Sequence, residues 1–353
     1  MRIAAVGRAF PQHYYDQETL VAAFEREWGG KLFNPERLSQ LHRNVLVGGR
    51  YLTLSMERYA ELDSFTAAND AFVEHAPELG SAAILDGLSR SGLEPSDLDH
   101  LFFVTVTGVA TPSIDALIVN RLDLPPNIKR TPIFGLGCVA GVAGVARAAD
   151  YLRAFPDEVA VLLSVELCSL TLQREDVSIS NLIASGLFGD GAAAVVLVGA
   201  EHPAAAGRSG PRVVATRAVF YADTEDVMGW KIGSDGFRIV LSADVPMVVE
   251  SRIAADVDGF LADHGLVRGD ISAWVAHPGG PKVLEALQRA LVLPREVLRH
   301  TWSSLAEVGN LSSASVLMVL HDTMAESPPE EGSWGLMLAM GPGFCSELVL
   351  LRW

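Results

Sequence analysis

Thr131-Pro132-Ile133-Phe134-Gly135-Leu136-Gly137-Cys138-Val139-Ala140-Gly141-Val142-Ala143-Gly144-Val145-Ala146 decides how the rest of the chain is read. The first seven residues are an apolar, strand-like run. From Val139 onward, small residues predict a helix extending to about Phe155. Cys138 sits at the elbow between them. A thiol there faces the positive end of a helix dipole, which favours the thiolate.

Residues 101–107, 159–166 and 192–198 are apolar on both faces, as in strands covered on both sides. Residues 3–6 read as a first strand. Residues 16–28 read as an amphipathic helix, and residues 29–50 as polar and irregular. Residues 64–75 and 77–91 read as two helices, with Pro77 suited to a first turn. Residues 114–122 are helical. Asp244 is a candidate cap for a long helix with Pro246 in its first turn, and Val245, Val249, Ile253, Val257 and Phe260 fall on one face. Residues 271–276 form a strand leading to His277, Val283, Leu284, Leu287 and Leu291 stripe a helix, and residues 335–340 and 346–351 form a closing hairpin. A helix, a turn and a strand ending at Thr107-Gly108 are echoed by the same order ending at His277-Pro278-Gly279. Two similar halves, 1–205 and 206–353, are therefore expected, with the Ala/Gly/Pro-rich segment 201–212 as their seam. Strand ends of both halves would then surround one crevice.

The 353 residues carry a formal charge of −16, which argues against nucleic acid because phosphate backbones need a basic face. Cys138, Cys168 and Cys345 are too few, and odd in number, for a disulfide framework, so a reducing cytoplasm is expected. There is no apolar run of about 18 residues, so no membrane span is expected, and the residues 1–7 are too short an apolar run for a signal peptide. No histidine or cysteine spacing suggests a metal site.

His277-Pro278-Gly279-Gly280-Pro281 and Gly309-Asn310-Leu311-Ser312-Ser313 lie far downstream of Cys138. A Cys, a His and an Asn on separate loops can supply a nucleophile, its ion-pair partner and an oxyanion donor. That set points to acyl transfer or carbon–carbon bond formation on a thioester. Taken singly, Asn310 reads as a helix cap, His277 as a strand-end histidine bonded to backbone, Phe188 as core, and a free cysteine as a small buried hydrophobe. The elbow and its two partner motifs make Cys138 a nucleophile. Glu166 ends a buried strand and is read as a structural hydrogen-bonding group.

Leu136-Gly137-Cys138-Val139-Ala140-Gly141, Leu187-Phe188-Gly189-Asp190-Gly191-Ala192, the His277 and Asn310 motifs, and Gly341-Pro342-Gly343 together resemble type III polyketide synthases, the chalcone-synthase-like family. The resemblance is clear over residues 95–353 and weaker in the first 90. It implies an α/β, thiolase-like five-layered αβαβα fold in two pseudo-duplicated halves and a homodimer, with Cys138, His277 and Asn310 as the triad. It places Phe188 at a gate and Thr111-Pro112 at a cis peptide near the dimer interface. Val106, Ile239, Ser312 and Met340 fall at cavity positions, and Cys168, Thr171 and Val106 would wall a tunnel for long acyl chains. Val106, Ile239 and Met340 depart from the residues of plant members, which speaks against a chalcone. Arg37, Arg43 and Lys282 are candidates for the phosphates of coenzyme A.

The resemblance implies acyl-CoA and malonyl-CoA as substrates and no other cofactor. It implies decarboxylative Claisen condensation on Cys138 and closure to an alkylpyrone or alkylresorcinol. A 3-ketoacyl-ACP synthase III-like enzyme is the alternative, although that class carries His-Gln-Ala-Asn where this chain has His-Pro-Gly-Gly. A catalytically silent partner subunit is the other.

Overall fold

The computed structural model describes residues 1–31, 36–205 and 210–353. In the first half the chain forms β1 (Arg2–Ala9), β2 (His13–Asp16), α1 (Gln17–Trp28), α2 (Glu36–Asn44), β3 (Gly49–Leu52), α3 (Phe65–Ser91), β4 (His100–Thr105), α4 (Ile114–Arg121), β5 (Lys129–Phe134), α5 (Ala140–Ala154), β6 (Val159–Leu167), α6 (Ile179–Leu187) and β7 (Asp190–Val198). The second half forms β8 (Arg212–Phe220), β9 (Met228–Gly233), β10 (Gly236–Leu241), α7 (Val245–Ala262), β11 (Ile271–Ala276), α8 (Pro281–Leu291), α9 (Arg299–Val308), α10 (Ser315–Glu326), β12 (Trp334–Gly341) and β13 (Cys345–Arg352).

The main sheet runs β11-β12-β13-β8-β1-β7-β6-β4-β5. Among the described residues its two parts meet at an antiparallel pairing of Arg2 with Arg212. The buried helices α5 and α10 pack on strands of both parts, so the parts face each other across them. Helices α3 and α4 cover the outer face of β4–β7, and α7 and α8 cover that of β11–β13. The order is helix, sheet, helix, sheet, helix: the five-layered thiolase-like α/β arrangement. Strands β6 and β7 are buried along their whole length, as their two apolar faces require. Part of the seam segment 201–212, with the boundary residue 206, lies outside the described residues.

Two local expectations are corrected. Residues 65–91 form one helix, with Pro77 inside it. An internal proline costs about 3 kcal/mol, but here Ala76, Pro77, Gly80, Ala83 and Ile84 all bury on the sheet side, and that packing outweighs the lost bond. Within the stretch read as irregular, α2 forms and buries Leu38 and His42, one turn apart, while β3 pairs with β2. The polar composition of α2 hid a buried face made by one leucine and one histidine; residues 32–35 lie outside the described residues.

Candidate active site

The site lies where strands end. Val106, Cys138 and Cys168 follow the carboxyl ends of the parallel strands β4, β5 and β6, and His277 follows β11. Cys138 occupies a tight turn, Gly137–Val139, that runs directly into α5. Gly137 has φ +55°, and a Cβ there would come 2.8 Å from the Pro342 ring. Only glycine lets the Gly341-Pro342-Gly343 loop lie against the elbow.

Cys138, His277 and Asn310 line one cavity of about 600 Å³, together with Val106, Cys168, Phe188, Ile239, Ser312 and Met340. The Cys138 thiol donates to Ser312 Oγ across 3.8 Å. Ser312 itself has φ +49°, an unusual value for serine, at the turn after Asn310. The Asn310 side chain is fixed at both ends. Its Oδ1 accepts from the Ser312 N–H at 2.8 Å, and its Nδ2 donates to Gly279 O at 3.4 Å. Asn310 therefore does cap the following turn, and that bond is what turns its amide N–H groups toward the His277 loop. His277 donates its backbone N–H to Leu338 O at 3.0 Å. Both its ring nitrogens are buried without a hydrogen-bond partner.

Burial pushes the Cys138 thiol up to about 12, with the Ser312 contact pulling down and the Glu166 charge pushing up. Burial alone carries His277 down to about 3. Desolvation penalises both charged forms. Burial therefore works against the thiolate–imidazolium pair that the helix dipole favours. Glu166 accepts from the Val106 N–H at 3.0 Å, from Thr107 Oγ1 at 2.9 Å, and from the Ser313 hydroxyl. It ties the ends of β4 and β6 to the turn after Asn310, the structural part read from the sequence.

Arg37 and Lys282 line the same cavity and are exposed to solvent, as are Asn44 and Ile179. Arg43 is exposed on α2 and does not line it. Thr171 lines a second, smaller chamber of about 180 Å³ instead. Cys168, Phe188, Trp230 and Ile239 stand on both cavities and form the partition between them. The Thr111-Pro112 peptide is cis, and Thr111 is exposed and borders neither cavity. The sequence reading missed the β9–β10 hairpin, which supplies Met228, Trp230 and Ile239; its Gly233-Ser234-Asp235-Gly236 turn was the available signal. It also missed Arg50. Among the described residues, no cluster of three or more His, Cys, Asp or Glu could hold a metal, and no helix is long and apolar enough to cross a membrane.

Residues 1–202 match the N-terminal domain of the chalcone and stilbene synthases, and residues 212–353 match their C-terminal domain. The chain belongs to the chalcone and stilbene synthase family. It is 50% identical to a 1,3,6,8-tetrahydroxynaphthalene synthase of Streptomyces peucetius subsp. caesius, over 99% of this chain and 93% of that protein. It is 38% identical to a putative chalcone synthase of Bacillus subtilis, over 99% and 98%. The crystal structure of the 1,3,6,8-tetrahydroxynaphthalene synthase of Streptomyces coelicolor, a bacterial type III polyketide synthase, superposes with a TM-score of 0.94 at 29% identity, covering 100% of this chain and 99% of that one. Within the family the chain is a type III polyketide synthase, an acyltransferase that forms carbon–carbon bonds. The 3-ketoacyl-ACP synthase III alternative is not favoured.

Proposed function

We propose that Cys138, His277 and Asn310 carry out iterative decarboxylative condensation of malonyl-CoA onto an acyl group held on Cys138. The observation that carries this is the convergence of these three residues, from distant loops, on one cavity. His277 takes the Cys138 proton as sulfur attacks the starter thioester, and the proton leaves with the released CoA thiol. Malonyl-CoA then loses carbon dioxide. Asn310 Nδ2 and His277 donate to the thioester oxygen as the enolate forms, each donor worth roughly 3–4 kcal/mol. The enolate carbon attacks the Cys138 thioester and expels the Cys138 thiolate, leaving the chain, two carbons longer, as a CoA thioester; transfer back to Cys138 with release of the CoA thiol starts the next round. Phe188 separates the reacting centre from its surroundings and helps exclude water.

Arg37 and Lys282, exposed on the cavity wall, would meet the phosphates of coenzyme A, and CoA thioesters would be the only small molecules required. The exposed cis turn at Thr111 would face a second copy in a homodimer, and residues 1–205 and 206–353 would be the two pseudo-duplicated halves. A cytoplasmic location suits three unpaired thiols.

The product is read first as a polyhydroxylated aromatic, supported by 50% identity to a tetrahydroxynaphthalene synthase. An alkylpyrone or alkylresorcinol is the second reading. It is favoured by the side chamber beyond Cys168, whose wall includes Leu20, Phe24, Met56 and Leu172. Purified enzyme given malonyl-CoA alone, and then with medium and long acyl-CoAs, tests both by mass spectrometry. Malonyl-derived arenes support the first, alkyl-bearing rings the second. Inertness towards malonyl-CoA under every starter would overturn the proposed function.

A further inference from the structure

The side chamber has an apolar wall and one buried cation. Arg50, on β3, is 2% exposed and lines it. Its Nη1 donates to Ser185 O and Phe188 O, at the end of α6. Its Nε and Nη2 are buried and have no hydrogen-bond partner. Asp190, Tyr59 and Cys168 lie within electrostatic reach of the guanidinium, which places it beside the partition with the reaction cavity. Asp190 offers it no direct bond: its carboxylate is taken up by the backbone N–H groups and hydroxyls of Thr53 and Ser169.

A buried guanidinium with unused N–H groups is costly unless an acceptor meets them. The chamber has room for a short chain, about six water molecules in bulk. A purely alkyl occupant would leave Nε and Nη2 unmet. An occupant ending in electron-rich oxygen would satisfy them, through the planar fork that arginine presents. Sites that hold a buried donor for a substrate oxygen discriminate strongly against the analogue lacking it.

Resting on the polyketide synthase reading, we propose that Arg50 makes this chamber a receptor for an oxygen-bearing chain end, so that it selects ketide or dicarboxylate chains over plain alkyl ones. The shared chemistry is an anionic or strongly accepting oxygen. It comes either from the carboxylate of a malonyl starter or from the β-keto oxygens of a chain already extended.

The test is a competition. Wild type and Arg50→Met are given malonyl-CoA as extender with equimolar acetoacetyl-CoA and hexanoyl-CoA, and the products primed by each starter are counted by mass spectrometry. The expected result is a fall of about tenfold or more in oxygenated-primed relative to hexanoyl-primed product. Loss confined to malonyl-primed product assigns the carboxylate; loss of acetoacetyl-primed product assigns the ketone oxygens. An unchanged ratio, or an equal fall of all three, overturns the proposal. Arg50 also holds two backbone carbonyls, so melting curves accompany the assay. If Arg50→Met does not fold, Arg50→Lys, which keeps the charge without the fork, decides: a shift of about threefold or more in the same direction supports the proposal and no shift refutes it. Wild type that makes no malonyl-extended product at all would instead sink the polyketide synthase reading.

Discussion

Phe188 and Asn310 are joined backbone to backbone. They form a parallel bridge in which Gly189 donates to Asn310 O at 3.0 Å and Asn310 donates to Leu187 O at 2.9 Å. The aromatic partition and the carboxamide are thus one rigid unit, and Arg50 braces it from behind through Phe188 O. A displacement of one is a displacement of the other.

Gly309 sets that unit's position. It has φ +74°, and a Cβ there would lie 2.6 Å from Leu187 O and 3.1 Å from Arg50 Cγ. Gly309→Ala is expected to fold with a lowered melting temperature and to lose about 100-fold or more in kcat, because misplacing a catalytic group by about 1 Å costs that much. Steady-state condensation kinetics alongside thermal melts check it; wild-type kcat in a folded variant would break the link.

The sequence carried the site better than its surroundings. Cys138 was legible from its strand-to-helix elbow, whereas His277 and Asn310, which singly read as a strand-end histidine and a cap, were legible only through the ordered motifs that resemble the family. The strands β4, β6 and β7 were legible because burial on both faces leaves no polar positions. The side chamber was not. It is built by α1, β3, α6 and the β9–β10 hairpin, whose meeting is a tertiary event. Arg50 looks like any surface arginine until β3 carries it under Phe188. The desolvation of the nucleophile was hidden for the same reason: a dipole can be read from an elbow, but the burial that opposes it depends on walls contributed from elsewhere.

With Cys138 pushed up to about 12 and His277 down to about 3, the resting thiol should behave as buried and neutral. The thiolate fraction then grows about tenfold per pH unit on the acid side of the thiol pKa. Inactivation by iodoacetamide is expected to accelerate in that way from pH 6 to 9, roughly. A plateau across that range would mean that a thiolate–imidazolium pair exists before substrate arrives.

Cys138→Ala should abolish chain extension yet leave malonyl-CoA decarboxylation, because Asn310 and His277 still face the cavity where the enolate would form. Measured carbon dioxide or acetyl-CoA release without any ketide product is the expected outcome. Full product formation by the alanine variant would remove Cys138 from the nucleophile's role.

Cys168 stands on the partition between the reaction cavity and the side chamber. A phenylalanine there would close the passage. Cys168→Phe is expected to shorten the accepted starters and to truncate the products by one or more two-carbon units, read as a shift in the product mass profile. An unaltered profile in a folded variant would show that chains never pass Cys168.

His42, on α2, is fully buried with Nε2 at 3.0 Å from Leu182 O. Burial, helped by the Arg50 charge, lowers its pKa from 6.5 to about 3. The folded protein therefore holds the neutral ring, while the unfolded chain binds a proton below about pH 6.5. The stability this contributes is complete above that pH and drains away as the pH falls towards 3, at about 1.4 kcal/mol per unit. His42→Gln will be less stable throughout, since the ring packs on Gly186. Its denaturant-unfolding free energy should nevertheless fall less on acidification from pH 7 to 4.5, by roughly 2–3 kcal/mol relative to wild type. The buried carboxyls Glu166 and Asp190, raised by burial, titrate in the opposite sense but are present in both proteins and cancel in the comparison. Parallel curves for the two proteins would mean that His42 is already protonated in the fold.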